Sequence, residues 1–141
     1  MSTANTFITV NTSINASLDR VWDCWTNPQH ITQWNFASTD WCCPSAENEA
    51  VSGGYFSWRM EAKDGSMGFD FAGTYDEVEK HKAIRYRLGD GRRVEITFLQ
   101  EGESIQLTES FEAEGTHTDE QQRAGWQAIL ENFRKYVEAL S

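Results

Sequence analysis

Apolar side chains return near the end of the chain at Trp126, Ile129, Leu130, Phe133, Val137 and Leu140, at offsets of 0, +3, +4, +7, +11 and +14. That spacing lays one stripe along a helix from Thr118 to Leu140, about six turns and roughly 30 Å long. Thr118 and Gln121 fit a capping box, and Asp119 and Glu120 fall in the first turn, where the helix dipole favours negative charge. Between the apolar positions lie Gln127, Glu131, Asn132, Arg134, Lys135 and Glu138. The opposite face is therefore solvated, and the stripe needs a partner surface.

The preceding chain supplies that surface as strands with a period of two. Ile8, Val10, Thr12 and Ile14 alternate with Thr9, Asn11 and Ser13 in a first strand. Two short helices follow. Ser17 caps one whose face is Leu18, Val21, Trp22 and Trp25; Asn27 caps the other, with Pro28 in its first position and Ile31 and Trp34 on its buried side. Asn35 to Ser45 shows no period and reads as a loop, a lid or rim with Phe36 and Trp41 turned inward. Glu47 to Val51 is expected as a short strand before the Gly53-Gly54 reversal.

Phe56, Trp58 and Met60 then share one strand face up to the Asp64-Gly65 hairpin signal. Phe69, Phe71, Gly73 and Tyr75 share the next. Ile84, Tyr86 and Leu88 follow the His81-Lys82 turn, Val94, Ile96 and Phe98 follow Gly89-Asp90-Gly91, and Ile105, Leu107, Glu109 and Phe111 complete the set. Short turns make these strands an antiparallel meander with one apolar face, which the long helix covers. The fold class is α+β, with element order βααββββββα.

A length of 141 residues suits a single domain spanning 1–141, with residues 1–6 loose. Formal net charge is −10, and between Val94 and Gln122 there are eight acidic residues and no Lys or Arg. Such a surface repels phosphate backbones and anionic headgroups, so neither nucleic acid nor membrane is an expected partner. Three cysteines make no disulfide framework, the start lacks a signal-peptide pattern, and no apolar run approaches about 20 residues. A reduced, cytoplasmic protein is expected.

Cys42-Cys43 with His30 and Asp40 lacks the spaced cysteine pair of zinc sites and reads as buried thiols; no metal or cofactor is expected. His81 and His117 sit in turns or loops without a nucleophile motif. Arg59, Arg85, Arg87, Arg92 and Arg93 fall on outer strand faces and are expected to pair with nearby acids.

The chain resembles a known family at several linked places. They are Val21-Trp22, Thr26-Asn27-Pro28 and Trp34; Gly53-Gly54 with Phe56 and Asp64-Gly65; Gly73-Thr74-Tyr75 with Glu77-Val78; and Gly125-Trp126 with Leu130. Together they resemble the START-like (SRPBCC) superfamily with its helix-grip fold, typified by the major birch-pollen allergen. Within it they resemble the branch named after the activator of the heat-shock-protein-90 ATPase. The resemblance implies a cavity between sheet and long helix. The eukaryotic co-chaperone of that name carries a further domain before the one resembled, whereas here the first strand begins at Phe7.

Non-catalytic binding of a small apolar or aromatic molecule in that cavity is the expected function, with monomers or weak homodimers. The alternatives are a protein-interaction module acting on a chaperone ATPase, and an enzyme, a cyclase or hydrolase of the superfamily. The candidate wall comprises Trp34, Phe36, Trp41, Trp58, Met60, Phe69, Phe71, Tyr86, Phe98, Trp126, Leu130 and Phe133; the same residues would alternatively fill the core completely. Gly125, costly inside a helix, calls for a local reason such as a cavity or a close helix-to-sheet crossing. Glu109 falls in phase with apolar neighbours, where an unpaired charge is costly. A bulge turns it outward, a partner such as Tyr86 or His30 satisfies it, or it projects into a pocket with a raised pKa.

Overall fold

Period-two patterning and tight turns build one seven-stranded antiparallel sheet in the computed structural model of the chain, which describes residues 6–140. β1 (Phe7–Ile14) leads into α1 (Leu18–Thr26) and α2 (Pro28–Trp34). Then come β2 (Trp41–Asn48), β3 (Tyr55–Ala62), β4 (Gly68–Glu79), β5 (Ala83–Leu88), β6 (Arg93–Glu101), β7 (Ser104–Glu112) and α3 (Asp119–Ala139). The strand order is β1-β7-β6-β5-β4-β3-β2, so β2 to β7 form a meander and β1 joins beside β7. This is the expected helix-grip arrangement, in the expected order of elements. The expected loose start falls outside the described residues except at Thr6, whose carbonyl accepts a bond from the Ala113 amide.

Local chemistry sets the helix boundaries. Ser17 accepts from the Arg20 amide and Asn27 from the Gln29 amide, while Thr118 and Gln121 satisfy one another's backbone in a capping box. Leu130, Phe133 and Val137 of α3 are fully buried against the sheet's inner face, with Ile8, Val10, Ile14, Ile105, Leu107 and Phe111. The helix end is tied down as well: Arg20 Nη1 donates to the Leu140 carbonyl and the Asn15 amide to Glu138. Gln122, buried although polar, donates to the Glu114 and His117 carbonyls and accepts from the Glu114 amide. It fastens the first turns of α3 to the loop that precedes them.

The outer face is the expected lattice of ion pairs. Arg59 meets Glu61 and Asp70, Arg85 meets Glu77 and Glu95, Arg87 meets Asp76, Arg92 meets Asp90 and Arg93 meets Glu112. Among the described residues no helix is long and apolar enough to cross a membrane.

Two expectations need correction. The segment read as a loop up to Ser45 is a strand from Trp41, and the strand expected at Glu47 to Val51 ends at Asn48. Pro44 masks it in the sequence. On an edge strand its missing N–H breaks no ladder, and a register shift between Cys42 and Ser45 accommodates it.

Of the two reasons open for Gly125, one is removed. A Cβ there would meet nothing within 4 Å, so no close helix crossing explains it. Gly73 differs, since its Cβ would come within 2.3 Å of the Arg87 carbonyl and 2.9 Å of the Phe56 ring. Gly125→Ala should therefore raise stability by about 1 kcal/mol. Gly73→Ala should lower it by roughly 1–3 kcal/mol. Urea unfolding of the two variants checks both signs.

Candidate functional site

Large side chains on the inner face do not close on one another completely: a cavity of about 190 Å³ remains between the sheet, α3 and the two short helices. It is larger than the roughly 150 Å³ apolar cavity known to admit benzene. β3 and β4 contribute one wall through their register, with Trp58 opposite Phe71 and Met60 opposite Phe69. The Trp58 and Phe71 rings stack with centroids 5.6 Å apart and planes 9° from parallel. Trp25 of α1 stacks on Trp34 of α2 at 5.0 Å to make another. From α3, Trp126 lies on Phe111 at 3.9 Å and meets the Phe71 edge at 6.1 Å, with Ile129 beside it.

Polar contacts hold the walls apart. Trp34 Nε1 donates to the Cys24 carbonyl at 2.9 Å, which fixes its ring on the helix pair. Trp58 Nε1 donates to Asn48 Oδ1, which also accepts from the Tyr75 hydroxyl, while Asn48 Nδ2 donates to the Thr26 carbonyl. This side chain links β2, β3, β4 and the end of α1. Rings restrained in this way cannot slide inward to fill the void. Phe69 lines the cavity and is 48% exposed, which puts it at the rim.

Glu109 carries the site's unsatisfied chemistry. β7 pairs regularly on both sides of it, with Val10 opposite on β1 and Ile96 opposite on β6, so no bulge turns the side chain outward. It is 5% exposed, lines the cavity and accepts no hydrogen bond among the described residues. Burial alone pushes its carboxyl up to about 8, so it is mostly protonated at neutral pH. His30 is not its partner: that ring binds the Tyr136 hydroxyl at 2.6 Å and Asp23 at 3.2 Å. Tyr86 also lines the cavity, its hydroxyl pushed up by burial and then by proximity to Glu109, yet no hydrogen bond joins the two.

Eight of the thirteen expected residues line the cavity: Trp34, Trp58, Met60, Phe69, Phe71, Tyr86, Glu109 and Trp126. Five do not. Leu130 and Phe133 are fully buried seam residues, and Phe98 packs against Trp22 and Trp25 at 5.1 and 6.2 Å. Trp41 reaches the outer side of the rim at Phe69, 6.1 Å away. Phe36 is half-buried beyond α2, with its carbonyl bonded to Asn132.

Conversely, Trp25, Asn35 and Ile129 line the cavity. The helical spacing of Trp25 and Ile129 signalled burial but not a cavity wall, and nothing in the sequence marks Asn35. Its amide reaches Met60 Sδ at 3.7 Å.

No group of three His, Cys, Asp or Glu suited to an ion occurs among the described residues. Cys24 and Cys43 are buried, and desolvation pushes both thiols up to about 11, far from the thiolate needed for ligation or attack.

The family model described as "Activator of Hsp90 ATPase homolog 1-like protein" matches residues 15–138. The chain belongs to this family. The AHSA1-like protein of Aeromonas hydrophila, solved by NMR in solution, is 42% identical over 96% of this chain and 94% of that one, with a TM-score of 0.90. A Cytophaga hutchinsonii protein is 45% identical over 94% and 92% of the two chains, with a TM-score of 0.82. DynU16, from the dynemicin biosynthetic locus, is 25% identical; the match covers 96% of this chain but 48% of that protein, with a TM-score of 0.73. No match was found among curated proteins. Family and fold together support a domain of the ligand-binding or co-chaperone type.

The Glu109 environment has a consequence for stability. Its carboxyl is raised from 4.5 to about 8 in the folded protein, so between those values the folded state holds more protons than the unfolded one. Stability must then fall as pH rises through that window and level off above about 8, a loss of ~2–5 kcal/mol. Glu109→Gln should flatten that slope. Denaturant unfolding of both proteins from pH 5 to pH 9 tests this, and an unchanged slope would rule out Glu109 as its source.

Proposed function

We propose that this chain binds a small apolar or aromatic molecule in the cavity without transforming it. The observation that carries this reading is a void walled by rings and holding one carboxyl that no described side chain serves. An apolar cavity with a single placed polar group is the usual form of a small-molecule site: the walls supply affinity and the polar group supplies orientation. At about 190 Å³ the space suits a single ring with a short substituent and is small for a sterol. Glu109 and Tyr86 are the two titratable groups on the described wall, which is not the nucleophile-and-base pairing of acyl transfer.

The family description motivates a second reading, a module acting on a chaperone ATPase of the heat-shock-protein-90 type. The acidic run of the sequence offers it no single docking face. Glu101 and Glu103 lie at one end of β7, while Glu112, Glu114, Asp119 and Glu120 gather at the other, roughly 25 Å away. Of these, Glu112 is bonded to Arg93 and Glu114 to its own loop. Added to such an ATPase, the chain should leave its rate unchanged; stimulation at micromolar concentration would favour this second reading.

The test of the first reading is native mass spectrometry of the protein with planar aromatics, fatty acids and sterols. A folded ion should retain one single-ring aromatic and release it on unfolding. Trp126→Ala should abolish retention. Since the Trp126 ring is only part-buried, its stability cost should fall below the ~3–5 kcal/mol of a fully packed tryptophan. Retention of nothing by the wild-type protein would overturn the reading.

A further inference from the structure

We propose that the cavity is built for an organic cation: a small ammonium whose N–H group meets Glu109 while its apolar body lies against the rings. This rests on the ligand-binding reading above and narrows it to a substrate class. The chemistry of the wall selects the charge. An ionised carboxylate is acceptor-only, so its natural complement is a donor, best a charged one. Of the described donors on the wall, the Trp34 and Trp58 indoles bond to the Cys24 carbonyl and Asn48, the Asn35 amide faces Met60, and the Tyr86 hydroxyl makes no hydrogen bond to Glu109. Among the described residues no Lys, Arg or His lines the cavity.

The rings point to the same ligand. Trp25, Trp34, Trp58, Phe71, Tyr86 and Trp126 line the cavity with rings whose faces are electron-rich, and a desolvated cation over such a face is stabilised, most strongly by tryptophan. The net charge of −10 outside draws cations towards the molecule and repels anions. Above about pH 8 a fatty acid or aryl carboxylate would bring a second carboxylate beside Glu109; below it the protonated carboxyl offers such an anion one hydrogen bond, with no cation on the wall to balance the buried charge. The site therefore discriminates by charge as well as by size.

Protons balance simply. Below about pH 8 the empty site holds protonated Glu109. Entry of R–NH₃⁺ leaves an ammonium–carboxylate pair, and the carboxyl proton passes to solvent, one per ligand bound. Among the described residues no other charged group lines the wall. Opposite Glu109 on β1 and β6 stand Val10 and Ile96; α1, α2, β3, β4 and α3 contribute Trp25, Trp34, Asn35, Trp58, Met60, Phe69, Phe71, Trp126 and Ile129. Tyr86 on β5 stays protonated because burial holds its hydroxyl well above the usual phenol range.

Calorimetry with three probes of one size, benzylammonium, benzyl alcohol and benzoate, tests the proposal. Benzylammonium should bind at least tenfold more tightly than benzyl alcohol at pH 7, and benzoate should not bind. Between pH 6 and pH 7.5 the benzylammonium affinity should rise about tenfold per pH unit, with nearly one proton released, as linkage to a single group requires. Glu109→Gln should lose the preference and the proton release while still taking benzyl alcohol, which also shows that its pocket is intact. If that variant does not fold, proton release by the wild-type protein decides alone. Equal binding of benzylammonium and benzyl alcohol, or ammonium binding without proton release, would overturn the ammonium assignment and leave the pocket standing. Binding of none of the three would overturn both.

Discussion

A strand paired along both edges cannot turn a side chain over without breaking two ladders of hydrogen bonds, and this holds Glu109 inside. β7 lies between β1 and β6 in unbroken register, so the inward phase of Ile105, Leu107 and Phe111 carries Glu109 with it. On an edge strand a bulge would expose the carboxyl, as a register shift on β2 accommodates Pro44. Next to last in the strand order, β7 has no such freedom. The fold must desolvate the acid, and the cavity beside it is where that cost is least.

The void itself needs explanation, because apolar side chains usually collapse into spare space. Here the rings that would move are fastened by their polar ends. Asn48 holds Trp58 and Tyr75 together across β3 and β4 while bonding the last turn of α1, and the Cys24 carbonyl holds Trp34. Stacking adds a second restraint at Trp25 with Trp34, Trp58 with Phe71, and Trp126 with Phe111. A tryptophan cannot shrink as a leucine can by changing rotamer. The surplus of tryptophan therefore favours a rigid shell over a closed core.

Much of the fold was legible because its signals are local. Alternation gives strand faces, caps give helix starts, and glycine turns give hairpins; the capping box at Thr118 and the inward phase of Glu109 follow from residues a few positions apart. What resisted reading depends on distant partners. Trp41 sits in a strand only because that strand is an edge, a fact of topology that no local window contains. Phe98 and Phe133 have the same periodicity as Trp58 and Trp126, yet pack solidly because α1 brings Trp22 and Trp25 onto Phe98 and Trp25 onto Phe133. Periodicity separates inside from outside. It does not separate a filled interior from an open one, and Asn35, a polar residue among rings, carried no periodic mark.

The two faces of the sheet divide the work of the molecule. Outside, arginines alternate with carboxylates in exposed pairs, each worth little to stability because water and salt screen it. Their effect is on solubility and on the field, and the net negative charge they leave reaches beyond the surface. Inside, one carboxyl sits where the dielectric is low, so any charge that meets it is felt strongly. A leucine at that position would remove the desolvation cost and leave the cavity with shape alone to offer a ligand. With Glu109 present, the void holds the one group that, on the reading proposed above, would distinguish a cation from an anion of equal size. The residue that weakens the fold above its unfolded pKa would thus be the one that gives the proposed site its chemical selectivity.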